Sequence, residues 1–189
     1  MKKSLILASC LLASSSVMAM DTQYFAGFNL EKMSLDETAS WSDESKTFNL
    51  KDVGLDLKVG VILEKNHRLS LSHAEFSKDF IDLTLISGAY DYLIPINNDF
   101  KLYTGLHAGN SKVEFRQNDN FSGLFYGAQV GGIYNITKSL EFEVGLSYSK
   151  YKVERAGYIT TEADGSQVEW AKEKLDKSTS MFAGLNYKF

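Results

Sequence analysis

Cysteine and proline are nearly missing from this 189-residue chain, which contains one of each, Cys10 and Pro95. A single thiol excludes a disulfide framework, and if Cys10 leaves with an N-terminal leader no thiolate chemistry remains either. Beyond residue 19 there is also no run of the ~18 continuous apolar residues that a membrane helix requires. A basic surplus is lacking as well, since 20 Lys and Arg face 24 Asp and Glu. An acidic chain is a poor match for a phosphate backbone, so nucleic acid is excluded as a partner. If the chain meets a membrane at all, a closed barrel of strands is the spanning structure left, because it alone satisfies the backbone without helices.

What is present begins with the parts of a secretory signal. Lys2 and Lys3 precede an apolar run from Leu5 to Leu12, and Val17-Met18-Ala19 offers small or aliphatic residues at a cleavage point. Residues 1–19 are therefore expected to be a signal peptide and residues 20–189 the mature domain. Leu7-Ala8-Ser9-Cys10 also fits a lipoprotein signal that would lipidate Cys10. That cut would follow about five apolar residues where ~7–15 are usual, and the apolar stretch runs on past it, so cleavage after Ala19 is preferred. Losing Lys2 and Lys3 leaves 18 basic against 24 acidic residues, a net charge of −6.

The mature chain alternates. Tyr24, Ala26, Phe28 and Leu30 interleave with Phe25, Gly27, Asn29 and Glu31, giving a first strand over about Thr22 to Met33. A polar, acidic loop is expected from Ser34 to Thr47. Val53, Leu55, Leu57, Val59 and Val61 form the cleanest strand, ended by a turn at Glu64-Lys65-Asn66-His67. Leu69 and Leu71 start a third strand that fades near Phe76, and Ser77-Lys78-Asp79 breaks it. Ile81, Leu83, Leu85 and Ala89 alternate with Asp82, Thr84, Gly88 and Tyr90, before a turn around Pro95. Strands of the same pattern follow from Phe100 to Ala108, Leu124 to Tyr134 and Leu140 to Tyr148, separated by a polar segment at Asn110–Phe121 and a turn at Thr137-Lys138-Ser139. A long polar segment, about Lys152 to Asp176, precedes a last strand ending at Phe189. That is eight strands of roughly ten residues, long enough to cross a bilayer at a tilt. Short connections follow strands two, four and six, and long polar ones follow one, five and seven. The link after strand three is the exception to this membrane-barrel pattern.

Alternation alone does not separate a membrane barrel from a soluble one. The polar face decides: it carries Gly27, Gly54, Gly60, Gly88, Gly105, Gly127, Gly131, Gly145 and Gly184 besides several charges. In water so many glycines weaken strands for no gain, whereas in a narrow lumen they make room for long side chains. The apolar face is aromatic near the short turns, at Tyr24, Phe100, Tyr134, Phe142, Tyr187 and Phe189, which suits a headgroup girdle.

The closing stretch has apolar residues at alternate positions, Met181, Ala183, Leu185, Tyr187 and the terminal Phe189, with Phe182 as the bulky exception. It resembles the C-terminal strand of bacterial outer-membrane barrels, and the chain as a whole is similar to the small eight-stranded barrels of the OmpA/OmpX-like superfamily. The resemblance implies an all-β, eight-stranded antiparallel up-and-down transmembrane barrel in a Gram-negative outer membrane. It also implies that these five residues are the signal read by the barrel-assembly machinery.

Parity places Lys58, Arg68, Lys101 and Lys188 in the lumen, level with Glu141 and Glu143 and with Asp56 somewhat higher. Lys188 neighbours Glu141 and is expected to pair with it. Four bases facing three acids are nearly balanced, which suggests a salt-bridged plug, because unpaired charges in such confinement are costly. A narrow, gated ion or solute channel built from the same charges is the first alternative. A lipid A-modifying enzyme is the second; it would need a Ser–His pair and an orienting carboxylate. His73 and Glu75 point outward near the outer rim, but Ser70 and Ser72 point inward, so no triad is complete; His107 reads as a lumen residue and His67 as a turn residue. Asp36, Glu37, Asp43 and Glu44 match no Ca²⁺ loop. No cofactor or metal is called for. Trp41, Tyr158 and Trp170 stand among polar loop residues as contact anchors. The expected protein is non-enzymatic, supports envelope integrity amid outer-membrane lipid and lipopolysaccharide, and offers its loops to host or phage surfaces.

Overall fold

A computed structural model of the chain describes residues 21–40, 45–78, 81–115, 120–155, 159–161, 167–169 and 172–189. The signal-peptide region therefore lies outside the described residues. Ten strands follow one another: β1 (Thr22–Ser40), β2 (Ser45–Leu63), β3 (His67–Lys78), β4 (Ile81–Pro95), β5 (Phe100–Phe115), β6 (Asn120–Asn135), β7 (Leu140–Arg155), β8 (Ile159–Thr161), β9 (Gln167–Glu169) and β10 (Lys172–Lys188). Eight of them close into one barrel in the order β1-β10-β7-β6-β5-β4-β3-β2, while β8 and β9 pair as a separate hairpin. All neighbours are antiparallel, so the topology is up-and-down. Closure pairs Phe25 with Lys188, and the Phe189 amide donates to the Tyr24 carbonyl at 2.9 Å. A closed ladder leaves no edge unpaired.

The eight expected strands are the eight barrel strands, but they are longer than expected, from 12 residues in β3 to 19 in β1 and β2. The polar segment Ser34–Thr47 is largely strand, with Ser34 opposite Lys51 and Asp36 opposite Asn49. Most of Asn110–Phe121 is strand too, and Lys152–Asp176 contains the end of β7, the small hairpin and the start of β10.

The reason is an inversion of polarity along each strand. Toward the short turns the apolar residues point out, for example Leu30, Leu71, Ile86, Leu106 and Met181. Toward the long loops the apolar residues point in: Met33, Leu35, Ala74, Phe76, Leu83, Leu85, Val113, Phe125, Tyr151, Val153 and Leu175 form one buried cluster. Outward positions there become Ser34, Asp36 and Thr38. The pleat never loses its period of two; only the side that is oily changes. A strand that leaves an apolar belt for water must change in this way.

One face assignment is corrected. In β4 the odd residues face inward throughout, from Leu83 and Leu85 to Asp91 and Leu93, while Ile86, Tyr90, Tyr92 and Ile94 are exposed. Gly88 consequently points outward, toward Leu71, and not into the lumen. The turn between β2 and β3 places Glu64 and Lys65 in the left-handed region, at φ 50° and 65°. Of the six expected outward aromatics, Tyr24, Tyr134, Phe142, Tyr187 and Phe189 are exposed and Phe100 is half-buried.

Candidate functional site in the barrel lumen

The lumen is stratified. Nearest the short turns, Lys188 donates toward Glu141 at 2.9 Å and Lys101 lies 3.4 Å from the same carboxylate. An apolar collar of Phe25, Ile62, Leu93, Tyr103 and Ile133, with Phe182 packed against it, shares this end of the lumen, Phe25 standing opposite Lys188 and Ile133 opposite Lys101 in register. Phe182, the bulky residue that breaks the alternation of β10, thus fills the interior. A Cβ on Gly145 would collide with its ring.

Glu143, 1 % exposed, holds the centre. Its Oε2 accepts from Lys58 Nζ at 2.5 Å, from Arg68 Nη1 at 3.0 Å and from Asn186 Nδ2 at 2.7 Å. Its Oε1 accepts from Arg68 Nη2 at 2.9 Å, so the guanidinium is held in a two-pronged grip. The third prong, Nε, donates to Asp91 at 2.9 Å, and Asp91 also accepts from Gln129 at 2.6 Å. Arg68 lies 4.6 Å over the Tyr103 ring and 5.9 Å from that of Phe25, so aromatic faces cover the cation where carboxylates do not. Gly131 leaves the room this needs: a Cβ there would stand 2.5 Å from the Tyr103 hydroxyl.

Above the ion pairs a polar chamber of about 80 Å³ is lined by Asn29, Glu31, Asp56, Ser72, His107 and Ser149 among others. Asn29 Nδ2 donates to Asp56 Oδ2 at 3.0 Å, while Asp56 Oδ1 has no hydrogen-bond partner among the described residues. A polar void of this kind takes ordered water. The apolar cluster around Phe76 and Phe125 roofs the chamber.

All seven charges expected in the lumen lie there: Asp56, Lys58, Arg68, Glu141, Glu143 and Lys188 buried and Lys101 partly so. Six join ion pairs; Asp56 takes its hydrogen bond from Asn29 instead. The count of three acids is corrected to five, because Asp91 and Glu31 also face the lumen. Asp91 was hidden by the inverted reading of β4. Had β4 been registered from Tyr90, Tyr92 and Ile94 at its short-turn end, Asp91 would have fallen inward. Met181, Ala183, Tyr187 and Phe189 are exposed on the outer face and Leu185 is half-buried there. Trp41, Tyr158 and Trp170 lie outside the described residues.

The histidines divide as their positions require. His67, at the start of β3, stacks on Tyr90 and meets its hydroxyl at 2.8 Å. His73 Nε2 pairs with Glu75 at 2.8 Å on the outer face, where Ser72 is turned inward to Ser87. His107 Nε2 meets Ser149 Oγ at 2.8 Å in the lumen, but among the described residues its Nδ1 has no partner, so none of their carboxylates orients the ring as a hydrolytic triad demands. Among the described residues no His, Cys, Asp and Glu cluster suits a metal ion, and no helix is long and apolar enough to cross a membrane.

No protein-family model matches the chain, and no curated protein matches it. Solved structures do. Neisserial surface protein A (NspA) is 15 % identical with a TM-score of 0.61, covering 88 % of this chain and 97 % of its own. The outer membrane protein OprG of Pseudomonas aeruginosa is 14 % identical with a TM-score of 0.61, covering 88 % and 96 %. Outer membrane protein H (OprH) of P. aeruginosa is 23 % identical with a TM-score of 0.55, covering 88 % and 99 %. The closed eight-stranded ladder, its outward apolar belt and these likenesses agree: the chain has the fold of the small outer-membrane β-barrels.

Proposed function

We propose that the protein is a non-enzymatic barrel of the Gram-negative outer membrane whose lumen is a plug. Its work is to reinforce the envelope and to hold its outer loops toward host or phage surfaces. Residues 1–19 direct export, and Met181, Ala183, Leu185, Tyr187 and Phe189 are read by the barrel-assembly machinery. One observation carries the plug: Glu143 binds Lys58, Arg68 and Asn186 together, tying β7 to β2, β3 and β10 across the lumen. Two buried apolar clusters, one of Phe25, Ile62, Leu93, Tyr103 and Ile133 and the other around Phe76 and Phe125, fill further parts of the lumen and support this reading. An eight-stranded interior is of a size that side chains fill.

Planar-bilayer recording tests this reading. The purified protein is expected to give no steady single-channel steps; steps that vanish on Lys58→Gln or Glu141→Gln overturn the plug in favour of a narrow channel. Mass spectrometry of lipid A from cells with and without the protein, and with His73→Ala, tests the absence of enzymatic work. A mass change that requires the protein would refute it.

A further inference from the structure

Two lumen carboxylates stand outside the ion-pair network, and both line the same polar chamber. Among the described residues Asp56 and Glu31 make no ion pair, whereas Glu141, Glu143 and Asp91 all do. In the β1–β2 register Asn29 is opposite Asp56 and Glu31 is opposite Gly54. The two acids are therefore diagonal neighbours on one face, within reach of a shared point. Asn29 holds Asp56 Oδ2 against this wall at 3.0 Å, which leaves Oδ1 to the chamber. That oxygen is buried, in a residue 8 % exposed, and has no hydrogen-bond partner among the described residues.

The surroundings supply more oxygen than positive charge. Ser72 is diagonal to Asp56 on β3 and Ser180 is diagonal to Glu31 on β10, and both line the chamber. Lys58 is within electrostatic reach of both acids, but its ammonium is bound to Glu143. Arg68 is shared between Glu143 and Asp91. Over the described lining, three carboxylates (Glu31, Asp56 and Glu143) against two bases (Lys58 and Arg68) leave one negative charge uncompensated. Phe76 covers Gly54, directly across from Glu31, where a Cβ would collide with its ring. The pair is thereby shielded from bulk water on that side. Enclosed water can satisfy the lone pairs of a carboxylate but not its charge, and uncompensated charge in such a place is costly.

We propose that the chamber holds one hard monovalent cation of the sodium type. Asp56 Oδ1 and the Glu31 carboxylate bind it, and Ser72, Ser180 and water complete the oxygen shell that hard cations take. A space of about 80 Å³ accommodates such an ion with a few waters. One positive charge balances the lining, whereas a divalent ion would overshoot it beside Lys58 and Arg68. The ion is structural. It joins β1 to β2, β3 and β10, extending the cross-linking to a strand that Glu143 does not touch. The inference goes beyond the plug and stands on the geometry of the chamber alone.

Full-length protein folded into lipid vesicles would be titrated with urea at constant ionic strength, with sodium replacing N-methylglucamine, a cation too large for the chamber. A ligand bound only by the folded state stabilises it by mass action. Each tenfold rise in sodium above its dissociation constant should therefore raise the wild-type urea midpoint by about 0.5–1.4 M. Asp56→Asn and Glu31→Gln are each expected to remove this dependence. Glu75→Gln, which alters an exposed carboxylate on the outer face, is expected to keep it. A wild-type midpoint indifferent to sodium, a dependence that survives in either lumen variant, or one that is lost in Glu75→Gln would overturn the proposal. So would a carboxylic-acid C=O infrared band, present at neutral pH in sodium and absent from Asp56→Asn or Glu31→Gln, because a proton would then neutralise the pair. Each of these failures leaves the bilayer-conductance test of the plug unaffected.

Discussion

Replacing Glu143 by Gln tests the lumen at its most connected point. The carboxylate, 1 % exposed, accepts four hydrogen bonds from Lys58, Arg68 and Asn186. Gln keeps the volume and one acceptor oxygen but turns an amide toward the Lys58 ammonium. Lys58 then loses its ion-pair partner, and Arg68 retains only Asp91. Removing one partner of a buried ion pair typically costs ~3–5 kcal/mol, chiefly because a charge is left buried without compensation. Lys101→Gln is the internal control. Lys101 is 18 % exposed and 3.4 Å from Glu141, which keeps Lys188 at 2.9 Å, so the expected loss is about 1 kcal/mol or less.

Urea titration of the folded barrel, read by heat-modifiable migration, measures both. With a slope of ~1–3 kcal/mol per molar urea, Glu143→Gln should lower the midpoint by roughly 1–5 M. Replacing the whole network is the decisive arm. Glu143→Leu, Lys58→Met, Arg68→Met and Asp91→Asn together remove every charged partner that would be orphaned, leaving only the Asn186 amide without its acceptor, and Asn at position 91 can still accept from Gln129. Buried ion pairs exchanged for apolar residues of similar volume are often neutral or stabilising. The fourfold variant should therefore be more stable than Glu143→Gln alone. If Glu143→Gln costs no more than Lys101→Gln, or if the fourfold variant loses the sum of its parts, the account of an interdependent plug is wrong.

Two further substitutions test the outside and a turn. Leu106, 66 % exposed in mid-belt, should lose ~2–4 kcal/mol on mutation to Arg, whereas Leu124→Arg near the outer rim should lose ~0–1; equal costs in vesicle-folding titrations would deny the apolar belt its depth. Glu64 and Lys65 sit in the left-handed region without being Gly or Asn. Asn-Gly there should stabilise the barrel by about 1–2 kcal/mol, and a lowered urea midpoint would show that the native side chains matter more than the backbone strain.

The strand number, the up-and-down order and the outward aromatics were legible because alternation against a single oily solvent leaves a clean period of two. What was not legible came from applying one rule along the whole strand. Ser34–Thr47 looks like a loop when outward residues are required to be apolar, yet Met33 and Leu35 continue the alternation into the interior. The same assumption turned β4 around. Leu83 and Leu85 seemed to be lipid-facing, so Asp91, which shares their parity and holds Arg68, disappeared from view. The points where apolar residues change sides, between Leu30 and Met33, Leu71 and Ala74, Leu106 and Val113, Tyr148 and Tyr151, are themselves informative. A soluble barrel keeps its oily residues inside from end to end, since water surrounds all of it. A chain whose oily side crosses from outer face to inner face on one strand after another, toward the same end, has two solvents outside it. The change of side marks where one gives way to the other, and on β1, β2 and β10 it falls near Lys32, Lys51 and Thr179.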